Sequence, residues 1–141
     1  MNATSAIYQE TVDHFTTTVS GGRAIVSVAG ELDIFTAPAL RAAFTDAISR
    51  AQTGVIADLS LVSFIDASGL GVLAGASSRA SHLPAGLRLA CVPEHVHRLL
   101  RITGLDSSLP ASYMPADYPP ADYPTTGPAR PVPVLAGQGA E

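Results

Sequence analysis

The sequence predicts one α/β domain with a small mixed β-sheet flanked by helices, followed by a proline-rich tail. Three observations carry this. The chain opens with a hairpin pattern of β-branched residues; apolar runs of strand length then alternate with amphipathic segments of helix length; and the composition changes abruptly after Tyr113. At 141 residues the chain suffices for one self-supporting core and a tail, not for two full domains. The domain is expected over residues 11–112 and the tail over 113–141.

Residues 1–10 carry little pattern and are expected to fray. From Thr11 to Ser20, β-branched and polar residues alternate around Val12, Phe15 and Val19. Ser20-Gly21-Gly22-Arg23 then supplies a glycine-based turn, and Ala24 to Val28 the returning strand, closed by Gly30-Glu31-Leu32-Asp33. Thr36 is the candidate cap of the first helix, with Pro38 in its opening turn. Leu40, Ala43, Phe44, Ala47 and Ile48 recur at helical spacing and give this helix one buried face.

Val55 to Ala76 is the centre of the chain. It starts as a buried-strand run ending near Asp58, passes through a second apolar run from Leu61 to Ile65, and changes character at Asp66-Ala67-Ser68-Gly69. That change reads as a helix start with Ser68 as N-cap, Asp66 two residues before it, and Gly69 and Gly71 leaving the surface nearly bare. Leu83-Pro84-Ala85-Gly86 ends the second helix, Leu87 to Val92 is a strand, and Pro93 opens a third helix through Arg101. Val96, Leu99, Leu100 and Ile102 are expected to face the core, and Thr103-Gly104-Leu105-Asp106 to stop the helix. Beyond it, Pro115-Ala116-Asp117-Tyr118-Pro119 repeats at once as Pro120-Ala121-Asp122-Tyr123-Pro124, which predicts a disordered or polyproline-like tail. Tyr118 and Tyr123 are the residues such a tail would present as a docking peptide.

Composition excludes several function classes. The net charge is −4 and all eight basic residues are Arg, with no basic stripe, so nucleic acid is not the expected partner. Met1 to Glu10 lacks a signal-peptide pattern and Asp66 interrupts the longest apolar region, so no membrane association is expected and a cytoplasmic, soluble protein is. The single cysteine, Cys91, rules out an internal disulfide, and its apolar neighbours predict an inert buried thiol.

Catalytic and cofactor readings fail on their own geometric requirements. A nucleophile elbow needs small residues two positions either side of its serine, where Ser68 has Asp66 and Leu70; His82, His95 and His97 could supply a base only through folding that the sequence does not predict. Gly69-Leu70-Gly71-Val72-Leu73-Ala74 fits G-x-G-x-x-A, but the chain is too short for a doubly wound sheet and no acid stands near position 90. Glu94, His95 and His97 open a helix at a spacing that puts the histidines on different sides, unsuited to a metal. No catalysis and no cofactor are expected. Two readings of Ser68 remain: a helix cap, or a phosphorylation site at which a dianion would join Asp66 on a bare surface.

Taken together, Gly30-Glu31-Leu32-Asp33, Ala57-Asp58-Leu59-Ser60 with Val62, and Phe64-Ile65-Asp66-Ala67-Ser68-Gly69-Leu70-Gly71 resemble the STAS domain of bacterial anti-sigma factor antagonists, over about Val12 to Asp106. The resemblance implies a non-catalytic protein that binds an anti-sigma factor, commonly a serine kinase with a histidine-kinase-like ATPase fold, and so frees a sigma factor. It implies phosphorylation at Ser68, reversed by a metal-dependent serine phosphatase. It further implies that Asp33 lies near that serine on the partner-binding face, that Asp66 holds the loop, and that Gly69, Leu70 and Gly71 form the helix end that meets the partner. Many members carry a second hydroxyl where this chain has Ala67, so Ser68 is the sole acceptor of the motif; the family usually continues after the third helix with a short strand and a last helix, where this chain has prolines from Pro110 that dominate from Pro115. Two other readings belong to the same resemblance: a module that senses a nucleotide or other small ligand within a larger assembly, and an accessory subunit of a lipid transporter. The sulfate-transporter branch is not expected, since no spanning segment precedes the domain in this sequence.

Overall fold

The computed structural model describes residues 8–12, 15–109 and 111–112, with side chains over 15–109. Strands β1 (Tyr8–Val12), β2 (Phe15–Ser20), β3 (Arg23–Leu32), β4 (Gly54–Ile65), β5 (Leu87–Ala90) and β6 (Ala111–Ser112) form one sheet in sequence order. The pairs from β1 to β3 are antiparallel and those from β3 to β6 parallel. Helices α1 (Ala37–Arg50), α2 (Ala67–Arg79) and α3 (Glu94–Thr103) make the three parallel crossovers.

Right-handed crossovers that always advance the same way across a sheet leave every helix on one face. The burial pattern follows: Leu40 and Phe44 of α1, Leu73 of α2 and Leu100 of α3 share one cluster with Val26, Ala57 and Leu89 of the strands. The strand residues between these, Ile25, Ile56 and Ala90, form a small second cluster on the opposite face, as the two-residue period of a strand requires. The β2–β3 turn has positive φ at both Gly21 and Gly22, the backbone twist that suits a two-residue hairpin and that glycine adopts without steric cost.

The structure departs from the sequence expectations at several points. Tyr8 to Glu10, expected to fray, belong to β1, and the run expected as a single strand from Thr11 to Ser20 is divided between β1 and β2, whose paired ends are Val12 and Phe15. Asp13-His14 between them lacks the glycine of the usual two-residue hairpin turns, so no turn signal marks that position in the sequence. The runs Val55–Asp58 and Leu61–Ile65 are one strand, β4, interrupted by register shifts against β3. At the first shift the Asp58 carboxylate accepts from the Ser60 backbone N–H (3.0 Å) and the Ser60 hydroxyl (2.7 Å), a local bond that competes with the ladder. β5 ends at Ala90, because Cys91 takes a positive φ of 55°. Its thiol is half-buried against Ile25, Ile56 and Ala90 and not fully enclosed as expected. The expected tail, residues 113–141, lies outside the described residues.

Ile102 also differs from expectation. It is 71% exposed, whereas Val96 and Leu100 are buried and Leu99 packs partly against the core. Six residues from Val96 is about 240° around a helix, so Ile102 lies beyond the partly buried Leu99, on the side away from Val96 and Leu100. Leu100→Ala should therefore cost about 2–5 kcal/mol of stability and Ile102→Ala less than about 0.5 kcal/mol, measured as the shift in urea unfolding of each variant.

Candidate functional site

The site is built where β3 and β4 finish together. Leu32 and Ile65, the last residues of these strands, are paired. The chain then turns at Asp66, whose N–H donates to the Leu32 carbonyl (3.1 Å), so the first residue past β4 is tied to the last of β3. From that anchored position α2 begins.

Asp66, and not Ser68, is the N-cap of α2. Its backbone is extended (φ −118°, ψ −169°), and its carboxylate accepts from the Ser68 N–H (2.8 Å) and the Gly69 N–H (3.2 Å). An acid does this better than a hydroxyl because its charge also complements the positive end of the helix dipole. The helix begins two residues earlier than expected, Ser68 falls in its first turn, and Leu70 N–H donates to the Asp66 carbonyl (2.9 Å). Among the described residues no hydrogen bond engages the half-buried Ser68 hydroxyl. The task that would have explained Ser68 as purely structural is carried out by its neighbour.

The two glycines of the motif serve opposite ends. A Cβ on Gly69 would stand 2.9 Å from the Leu32 carbonyl oxygen and 2.8 Å from an Ile65 side-chain carbon, so Gly69 is what lets α2 seat on the strand ends. A Cβ on Gly71 would meet nothing within 4 Å, so Gly71 leaves backbone open to the exterior. Leu70, expected to meet a partner, is only 5% exposed and packs in the core, and Gly69 is buried as well. Of the residues expected at a partner surface, Asp33, Asp66 and Ser68 are half-buried and Gly71 is exposed.

Asp33 directly follows Leu32 and so borders the start of α2. Its carboxylate oxygen accepts from the Phe35 N–H (2.9 Å) and the Thr36 N–H (3.1 Å). Thr36 stands before α1, with Pro38 in the first turn as expected, yet its hydroxyl does not cap the helix. It accepts from the Asp33 N–H (2.9 Å) and has the Glu31 carbonyl at 3.0 Å as its nearest acceptor, because the turn at 33–36 faces its side chain back toward β3. The feature not anticipated from sequence is apolar: Ile34 and Phe35 are 66% and 88% exposed and Phe64 is 48% exposed, all beside this junction. An Ile-Phe pair between a strand stop and a helix start, with no periodic apolar partner, was the available signal.

Elsewhere, His95 is exposed and His97 Nδ1 is bonded to the Arg101 guanidinium (3.0 Å); among the described residues no group of three or more His, Cys, Asp or Glu is placed to hold a metal ion. No helix of the described residues is long and apolar enough to cross a membrane.

With this geometry established, comparison with known proteins is specific. The STAS domain matches residues 14–115. The chain is 32% identical over 107 residues to the anti-sigma-B factor antagonist of Listeria monocytogenes, covering 74% of this chain and 84% of that one. It is 38% identical over 79 residues to the anti-sigma-F factor antagonist RsfB of Mycobacterium tuberculosis, 56% of this chain and 60% of that one. The crystal structure of an anti-sigma factor antagonist from Mycobacterium paratuberculosis superimposes with a TM-score of 0.60 at 30% identity, over 83% of this chain and 93% of the other. The chain belongs to the STAS domain family and, within it, to the anti-sigma factor antagonists, which are regulatory proteins and not enzymes.

Because the glycines differ in surroundings, their alanine variants should differ in sign. Gly69→Ala should lower stability by about 1–3 kcal/mol through overpacking, whereas Gly71→Ala should leave it unchanged or raise it by up to about 1 kcal/mol. Asp66→Ala should cost about 0.5–2 kcal/mol through the lost cap. Urea denaturation of the three variants checks all of these together.

Proposed function

We propose that this chain binds an anti-sigma factor of the serine-kinase type, with a histidine-kinase-like ATPase fold, and thereby frees a sigma factor. Phosphorylation of Ser68 by that kinase ends the binding, and a metal-dependent serine phosphatase restores it. The observation that carries this reading is a hydroxyl with no structural task among the described residues, on the rigid first turn of a helix already capped by its neighbour.

The physical logic is a charge change on a fixed platform. A phosphoryl group adds about −1.5 to −2 charge at neutral pH. At Ser68 it joins Asp66, whose carboxylate already occupies the Ser68 and Gly69 amides that would otherwise neutralise an anion there. Asp33, Asp66, Ser68 and the open backbone at Gly71 form the surface that meets the partner, while Gly69 and Leu70 hold that surface from beneath. Misplaced like charge in an interface costs several kcal/mol; about 3 kcal/mol is on the order of a hundredfold in affinity, enough to switch a complex off.

The test uses wild type, Ser68→Ala and Ser68→Asp as baits in a lysate of the native host, with bound proteins identified by mass spectrometry. Wild type and Ser68→Ala should retain an anti-sigma kinase that Ser68→Asp loses, and the kinase with ATP should phosphorylate the wild type and not Ser68→Ala. Equal retention by all three baits, or equal phosphorylation of Ser68→Ala, would contradict control at this residue.

A further inference from the structure

The Asp33 carboxylate bonds a turn that carries exposed apolar side chains. Five large apolar side chains among the described residues are exposed, and three of them, Ile34, Phe35 and Phe64, stand at the junction that carries Ser68. Phe64 is paired with Glu31, one step before the Leu32–Ile65 pair, and Ile34 and Phe35 follow Leu32 by two and three residues. An 88% exposed phenylalanine is unfavourable in the free protein, and it is the kind of side chain that dominates a protein interface when a partner buries it.

The loop that presents it is fixed. Asp33 Oδ1 receives the Phe35 and Thr36 amides at 2.9 and 3.1 Å, and Thr36 Oγ1 receives the Asp33 amide at 2.9 Å. The Thr36 and Ala37 amides also reach the Asp33 carbonyl (3.2 and 2.8 Å), and the side-chain bonds add to this closure, so the apolar pair is held out before any partner arrives. Holding it in advance reduces the ordering cost of association.

We propose that Asp33 is a positioning residue: its carboxylate clamps the 33–36 turn so that Ile34 and Phe35 act as a rigid apolar anchor for the anti-sigma kinase, with recognition made through the anchor and not through the Asp33 charge. This rests on the partner assigned under the proposed function. The turn leaves the same strand end that anchors α2, since Asp66 N–H is bonded to the Leu32 carbonyl. Its electrostatics are one-sided: residues 29–36 and 61–72 contain Glu31, Asp33 and Asp66 and no Arg, Lys or His. The occupant that fits is therefore an apolar socket on the kinase rimmed by basic side chains.

The test measures calorimetric affinity of wild type, Phe35→Ala, Asp33→Ala and Asp33→Asn for the purified histidine-kinase-fold anti-sigma factors of the source organism, with ADP present. Amide hydrogen exchange at Phe35 and Thr36 is followed in the same free proteins. Phe35→Ala should weaken binding at least tenfold, Asp33→Ala at least fivefold, and Asp33→Asn, which keeps the accepting oxygen without the charge, should restore affinity to within about threefold of wild type. Exchange at the Phe35 amide should be slow in wild type and Asp33→Asn and fast in Asp33→Ala, while Thr36, which keeps the Asp33 carbonyl as acceptor at 3.2 Å, should change less. Binding by Phe35→Ala within twofold of wild type, Asp33→Asn as weak as Asp33→Ala, or equal exchange in all forms would overturn the proposal. Failure of every kinase to bind the wild type would instead overturn the partner assignment on which it rests, and circular dichroism distinguishes lost binding from lost folding.

Discussion

The bond from the Asp66 N–H to the Leu32 carbonyl is the constraint on which the site depends. It joins the ends of two parallel strands to the start of a helix in a single step, and the buried Gly69 makes that approach possible. From it follow the direction of α2, the orientation of Ser68 and the position of Asp33, which leaves β3 at the same level. The register shifts along β3 and β4 serve the same end, since they bring Leu32 and Ile65 opposite one another although the strands differ in length.

Around that junction the residues that carry structural work are distinct from those that do not. Asp66 caps, Gly69 seats and Leu70 packs; Ser68, Gly71 and the Ile34–Phe35 pair are left with little structural work among the described residues. Such separation is what a phosphorylation switch requires. A modified residue that also held the helix would couple signalling to unfolding, whereas Ser68 can take a charge while Asp66 keeps the cap. The helix end also favours a nearby anion to a degree that partly offsets repulsion from Asp66, so the fold should tolerate the phosphate.

Much of this was legible in the sequence because it is local. The Gly21-Gly22 turn, the apolar spacing from Leu40 to Ile48 and the Gly104 stop follow from backbone conformation and period, and they appear where expected. What was not legible depends on pairing across the chain. Asp66 and Ser68 are both good capping residues, and only the tie to Leu32 decides between them by fixing where the helix starts. Thr36 is likewise a good cap by type, but the turn at Asp33 engages its hydroxyl elsewhere. Leu70 reads as a motif residue at the surface until α2 is rotated onto the sheet, which places it inward. The Ile34–Phe35 pair breaks the rule that large apolar residues are enclosed, and such breaks fall where function outweighs local stability.

The central claim is that charge on Ser68 controls partner binding without changing the fold. It is tested most directly by preparing the protein with Ser68 phosphorylated by the proposed anti-sigma kinase, then measuring in parallel its affinity for that kinase and its urea unfolding midpoint against the unmodified protein. The account predicts an affinity loss on the order of a hundredfold with a stability change under about 1 kcal/mol. Unchanged affinity, or a loss of binding that tracks a collapse in stability, would contradict it.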